Sequence, residues 1–349
     1  MRSSCYIFLV IIGLASCIAD DTTKISINTV PETLNDGWEV STPSEEDVNA
    51  DQLESTVESF FSEEVLEYSK ALLIAKNGKI ILETYFKDLD DRNRKHNVKS
   101  VTKSISSTLV GIAILHGAVD TDLDRTVYSY IPEAFDDNER KQEITLRHCL
   151  RMTTGLEDPF YTVAPVLPGN SIKTSLDVAL VHRPGEVHGY NNGSANIFGG
   201  VVSAASKKSY EEFAIENLFT PLGITDHHWV KHSDGVVNPA FDLYLRPRDV
   251  LRWGQFCLQN GNWNDEQLLP DTWLDESTTY YEDGFDGKFG YHWWIHDDYN
   301  CYYANGHGGQ RVWILPDHDL VVVHLAEPST DQTDLSEIPV VLDRIMESM

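Results

Sequence analysis

Apolar positions along the chain fall into a few blocks of distinct period. Val101, Ile105, Leu109 and Ile112 recur at helical spacing, and the run stops at Gly117, a residue favoured just past a helix end. Residues 71–86 are apolar on both sides of Asn77-Gly78, a pair that predicts a tight two-residue hairpin. A second hairpin is predicted over residues 312–326, turning near Pro316-Asp317 and returning through the apolar run Leu320 to Leu325. Small and apolar residues from Ala195 to Ala205 read as another helix. Near the N-terminus Ser44, with Asp47 three residues on, predicts a helix whose apolar stripe is Leu53, Val57, Phe60 and Phe61. The stretch between the two hairpins reads mainly as helix and loop. The first and last strands are therefore expected to build one antiparallel sheet flanked by helices, of the α/β (α+β) class. A mostly helical lobe, about residues 104–235, is inserted between them.

The ends of the chain add an expected destination. Residues 1–16 carry Arg2 and then the apolar run Tyr6 to Leu14, too short for a typical membrane span and patterned as a secretory signal. Leu14-Ala15-Ser16-Cys17 resembles a bacterial lipoprotein box, in which Cys17 becomes the lipidated first residue; cleavage after Ala19 is the competing reading. Lipidation at Cys17 predicts a periplasmic or cell-surface protein held to the membrane by its lipid anchor only. Twelve acidic residues and no Lys, Arg or His occur from Ile25 to Ser69. Residues 17–43 accordingly read as an acidic tether and residues 44–349 as the folded domain. The net charge of −28, with no compensating basic stripe, excludes nucleic acid as a partner. With Cys5 and Cys17 in the signal region, Cys149, Cys257 and Cys301 remain, an odd number that cannot pair completely. His228 and His232, and His292 and His296, are each four apart, but neither pair encloses the glutamate of a zinc-protease signature, so no metal is expected.

The chemistry enters at Ser100-Val101-Thr102-Lys103, at the head of the first predicted helix. Residues three apart share a helical face, about 5–6 Å between Cβ atoms, so the lysine amine reaches the serine hydroxyl. Such a pair works as nucleophile and base only if the amine is neutral. Burial and the positive potential of a helix N-terminus both disfavour the ammonium, and the same potential favours an alkoxide.

Two further elements follow in order. Pro184-Gly185-Glu186-Val187-His188-Gly189 is a turn-rich approach that places Tyr190 and Asn192 at the entrance of the 195–205 helix. Asn305-Gly306-His307-Gly308-Gly309-Gln310 leads into the second hairpin, with glycines that permit close approach of backbone to a ligand. Tyr303-Ala304-Asn305 repeats the Tyr-x-Asn spacing, but it lies where a strand aromatic is expected, so Tyr190 is preferred. Together with Leu146 to Leu156, Pro221-Leu222-Gly223-Ile224 and Leu245 to Val250, these segments resemble the serine β-lactamase and D,D-peptidase superfamily. The likeness is greatest to its branch of class C β-lactamases, esterases and 6-aminohexanoate-dimer hydrolases, and it covers roughly residues 65 to 345.

The resemblance implies a β-lactamase/transpeptidase-like fold with its site in the cleft between two lobes. It makes Ser100 the acylated nucleophile, Lys103 its base and Tyr190 the second proton-transfer group. Asn192 matches the amide that bonds the lysine and the substrate, and the N–H groups of Ser100 and Gln310 match the oxyanion hole. His307-Gly308-Gly309 stands where relatives that recognise a carboxylate carry Lys-Thr-Gly or Lys-Ser-Gly, so ester or amide hydrolysis is expected ahead of penicillin hydrolysis. Trp293, Trp294, Tyr302, Tyr303 and Trp313 are candidates for the pocket wall, or for a packed sheet face. Neither metal nor organic cofactor is required, and the expected partner is a small ester, amide or peptide. Two alternatives stand beside this reading: a true β-lactamase or D,D-peptidase, and a non-catalytic penicillin-binding-like sensor or interaction module.

Overall fold

The computed structural model describes residues 30–62, 68–163, 166–285, 287–327 and 338–349. The expected signal and Cys17 lie outside them. Among the described residues nine strands form the large sheet: β1 (Glu39–Val40), β2 (Ser69–Lys76), β3 (Lys79–Tyr85), β4 (Glu282–Gly284), β5 (Gly287–Phe289), β6 (Trp294–His296), β7 (Cys301–Gly306), β8 (Gln310–Leu315) and β9 (Leu320–Ala326). Their order is β1-β3-β2-β9-β8-β7-β6-β5-β4, antiparallel throughout except for the β1–β3 pair. Both expected hairpins are present. Asn77 and Gly78 turn the first with positive φ at both positions (51° and 76°), and Asp319, at φ 46°, closes the second. The first and last hairpins join directly, β2 pairing with β9 from Leu320↔Lys76 to Ala326↔Ser69.

Side chains alternate across this sheet and divide the core in two. Ala71, Leu73, Val312, Ile314, Val321 and Val323 face one cluster, which also holds helices α2 (Val101–Leu115), α3 (Asn192–Ser206) and α4 (Pro247–Leu258). Leu72, Ile74, Trp313, Leu320 and Val322 face the other, against α1 (Ala50–Ser62) and α5 (Ile338–Met346). A Cβ on Gly254 of α4 would lie 2.6 Å from Val321 Cγ1, so glycine is what lets that helix reach the sheet.

Helix α2 is buried from Val101 to Ala113, polar residues included. Ser104 donates to the His292 carbonyl (2.6 Å), Ser106 to the Pro239 carbonyl (2.8 Å) and Thr108 to the Ser104 carbonyl (3.0 Å). These bonds let a helix with hydroxyls among its apolar residues sit at the centre of the molecule.

Two sequence expectations need correction near the N-terminus. Thr42, not Ser44, caps the first turn, with Glu45 completing a capping box; Asp47 then adopts φ 59°, which ends that turn, so α1 starts afresh at Ala50. Residues 30–43 are docked rather than tethered: Trp38 is buried and β1 pairs with β3. Charge is the reason. Buried Arg248 of α4 bonds Glu83 of β3 (Nε to Oε1 2.8 Å), Asp36 (2.9 Å) and the Glu32 carbonyl (2.7 Å), while Arg252 donates to the Asp36 carbonyl (2.5 Å). Acidic residues there neutralise guanidinium groups that α4 brings into the interior.

Removing one member of such a network leaves the partner's charge buried and short of counter-charge, a loss of about 3–5 kcal/mol. Glu83→Ala is expected to lower stability by that order in denaturant unfolding. An unchanged midpoint would mean that Asp36 alone neutralises Arg248.

Candidate active site

Ser100 stands at the N-cap of α2 with its hydroxyl making no capping bond. The backbone entering it is held in an uncommon shape: Lys99 has φ 51°, left-handed for a lysine, a conformation that costs of order 1–3 kcal/mol. Neighbours fix it there. Lys99 N–H donates to Asn97 Oδ1 (2.8 Å), Thr102 Oγ1 donates to the Lys99 carbonyl (2.6 Å), and Val98 N–H donates to the Leu243 carbonyl (2.9 Å). Leu243–Leu245 is the middle strand of a small three-stranded sheet, between His96–Asn97 and His228–Trp229. That sheet, with Tyr244 opposite Asn97, sets the approach to Ser100.

One turn into α2, Lys103 is 2% exposed. Its Nζ donates to Ser100 Oγ at 3.1 Å and to the Ala240 carbonyl at 2.7 Å. Two aromatic faces enclose it, Tyr190 at 5.1 Å and Phe241 at 5.6 Å from ring centroid to Nζ. Burial lowers the amine's pKa to about 7, against the opposing pull of the Asp158 and Asp242 carboxylates.

Ser100, Lys103 and Tyr190 thus meet, though 90 residues separate the first from the last. Asn191 caps α3 by accepting from Ser194 N–H, which leaves Tyr190 just outside the helix. The Tyr190 ring lies near Trp294 (6.4 Å) and Phe285 (5.2 Å). Of the five aromatics expected near the pocket, Trp294 is the one stacked on Tyr190. Trp293 stacks on Trp253 in the core, Tyr302 donates to the Cys257 carbonyl, and Tyr303 and Trp313 pair in the sheet.

Asn192 is beside the site, and its side-chain nitrogen is turned to Asp158. Its Nδ2 and backbone N–H both donate to Asp158 Oδ2 (2.6 and 3.0 Å), and Asp158 Oδ1 caps the short helix Pro159–Thr162. His307 is exposed at the tip of the β7–β8 turn, with Gly308 and Gly309 at φ 75° and 89°. Gly306 pairs with Gln310, and a Cβ on Gly306 would lie 2.5 Å from the Val98 carbonyl oxygen and 3.1 Å from Lys99 Cβ. The glycine lets the hairpin end press against the strand that delivers Ser100.

One histidine of each pair is buried and bonded within the fold. His232 accepts from Leu167 N–H and meets Asn196, and His292 Nε2 donates to the Cys149 carbonyl. Among the described residues no three His, Cys, Asp or Glu side chains gather as metal ligands. Cys149, Cys257 and Cys301 are free and buried, with burial pushing each thiol pKa up.

Residues 67–340 match the family model described as Beta-lactamase. The chain belongs to the beta-lactamase family. Its curated relatives include Protein flp of Staphylococcus aureus, 25% identical over 170 residues, a match covering 44% of this chain and 33% of that protein. The chain therefore spans about a third of the length of that relative. Solved structures share the fold. A Bacillus anthracis protein assigned as a 6-aminohexanoate-dimer hydrolase superposes with TM-score 0.71 at 20% identity, covering 92% of this chain and 89% of that one. EstCE1, a hydrolase with promiscuous acyltransferase activity, gives 0.71 at 15% (86% and 99%), and a class C beta-lactamase gives 0.68 at 14% (86% and 97%).

Within this beta-lactamase-family site, the roles of three residues escaped the sequence reading. Asp158 lies two residues beyond the segment that carries the resemblance. His292, in the left-handed region at φ 62°, closes the floor behind Ser104. His324 interrupts an otherwise apolar strand, which was the available signal.

Lys103 makes this site costly. The unfolded amine keeps its proton to its ordinary 10.5, the folded one only to about 7. Between those values unfolding takes up a proton, so stability rises with pH, by on the order of 5 kcal/mol in all; below about 7 both states are protonated and the full penalty applies. Lys103→Met removes the penalty. Its melting temperature is expected to exceed that of the natural chain most at pH 6, with the gap closing toward pH 10; parallel curves would refute a neutralised amine.

Proposed function

We propose that this chain is an exported serine hydrolase that cleaves an ester or amide through an acyl-enzyme on Ser100. The observation that carries the reading is a fully buried amine, with pKa drawn to about 7, held 3.1 Å from a hydroxyl at a helix N-terminus. A binding module has no use for an amine kept at that cost.

In this reading Lys103 takes the Ser100 proton as Oγ attacks the substrate carbonyl. The tetrahedral oxyanion faces the N–H groups of Ser100 and Gln310, each donor typically worth about 3–4 kcal/mol. Tyr190 passes a proton to the leaving alcohol or amine, and the C–O or C–N bond breaks. A water, deprotonated by the Lys103 and Tyr190 pair, then attacks the acyl-enzyme and releases the acid and the Ser100 hydroxyl. His307, at the tip of the glycine turn, supports ester or amide substrates over β-lactams, because a carboxylate-anchoring lysine is replaced there. The N-terminal pattern supports export with a lipid anchor at Cys17.

A fluorophosphonate probe is expected to label the natural chain and not Ser100→Ala. Turnover of p-nitrophenyl esters should exceed that of nitrocefin and rise with pH through about 7, as Lys103 loses its proton. Lys103→Ala should lose about 10²- to 10⁴-fold in acylation. Labelling of Ser100→Ala equal to that of the natural chain would end the proposal.

A further inference from the structure

We propose that His324 is a positioning residue that aims the Gln310 N–H at the reacting carbonyl. The inference rests on the hydrolase reading and adds to it a residue on the far side of the sheet. His324 is 1% exposed, on the face of β9 that looks toward α1, where its ring meets Phe60 edge-on at 5.7 Å. Both ring nitrogens are engaged at 2.8 Å: Nδ1 with the Gly309 carbonyl and Nε2 with Ser69 Oγ. A carbonyl only accepts, so Nδ1 carries the proton. The neutral ring then accepts from the Ser69 hydroxyl at Nε2, which fixes one tautomer and one orientation. Burial keeps the ring neutral, with its pKa lowered to about 4.

The consequence follows from the peptide plane. Gly309 C=O and Gln310 N–H belong to one trans peptide, and in a trans peptide these two bonds point in opposite directions. Drawing the oxygen toward α1 turns the N–H toward the opposite face, the one that holds α2 and Ser100. Gly308 and Gly309, at φ 75° and 89°, are the residues whose backbone most readily tolerates a change in the tilt of this peptide, so an anchor on its oxygen bears on the direction of its N–H.

A second anchor holds the next residue. The Gln310 side chain donates to the Ala326 carbonyl (2.7 Å) and the Gly308 carbonyl (3.2 Å), and accepts from Ala326 N–H (3.2 Å). A break in the β2–β9 register between Leu325 and Ala326 adjoins the Ala326 groups that Gln310 uses. The end of β9 therefore clamps the turn through Gly309 oxygen and through the Gln310 amide.

Two substitutions separate positioning from packing. In His324→Asn the side-chain amide nitrogen occupies the place of Nδ1 and keeps a donor for Gly309. In His324→Gln it occupies the place of Nε2 and keeps a partner for Ser69 but none for Gly309. His324→Gln is expected to lower kcat for a p-nitrophenyl ester by about 10²-fold with KM within about threefold, the loss typical of one oxyanion donor. His324→Asn should stay within about threefold in kcat, at a melting temperature similar to that of His324→Gln. Equal rates in the two variants, or rates that follow melting temperature, would overturn the proposal. The Gln310 amide resonance in 15N-glutamine-labelled protein needs no turnover: it should move in His324→Gln and not in His324→Asn. If the natural chain shows no Ser100-dependent turnover, the hydrolase reading fails while this resonance still decides whether His324 sets the peptide.

Discussion

The structure depends on keeping one amine dry. Lys103 Nζ bonds a hydroxyl and a carbonyl, both neutral, and two aromatic faces fill the space around it. Each of these neighbours contributes dipole or quadrupole, and among the described residues none contributes a full charge in contact. Carboxylates are near enough to act on the amine, yet each is occupied elsewhere: Asp158 by Asn192, and Asp242 by Asn97 (2.6 Å) with Lys99 at 3.9 Å. A carboxylate bonded directly to Nζ would hold the proton on the lysine and leave Ser100 without a base. Asn192 and Asn97 matter because they keep acids satisfied at a distance.

Burying that amine demands a rigid container, which the fold supplies from both sides of α2. Pro239 to Phe241 close one side through the carbonyls of Pro239 and Ala240, and His292 closes another by accepting from Ser104 and donating to Cys149. The Ser104 and Ser106 hydroxyls thus serve as pegs into neighbouring loops rather than as caps or solvent groups. The left-handed Lys99 is held by the same logic, three backbone or side-chain bonds fixing one unfavourable residue.

The legible part of this molecule was what period and turn chemistry express. Alternation around Asn77-Gly78 and Pro316-Asp317 gave both hairpins and their pairing, and the spacing from Val101 to Ile112 gave the central helix with Ser100 at its head. The meeting of Ser100, Lys103 and Tyr190 was legible only through the joint order of three motifs, since no local pattern carries a contact across 90 residues. The expected tether departs from the structure for a long-range reason. Acidic runs are usually solvated, but the partners of residues 30–43, Arg248 and Arg252, lie more than 200 residues away. Asp158, which Asn192 bonds, sits on a loop whose path the sequence does not encode locally.

The sheet's two faces have different work, and the site belongs to both. On the face of α2 stand the groups that would react; on the face of α1, Glu83 is absent and the only polar insertion described in β9 is His324, held neutral by burial. A charged residue at that depth would need a counter-ion of its own, as Arg248 needs Glu83 on the α4 side. A neutral imidazole needs only a donor and an acceptor, and Ser69 and Gly309 supply them. Strand β9 can therefore hold a flexible glycine turn in one orientation without bringing any charge near Lys103, which is the condition under which its amine gives up a proton close to neutral pH.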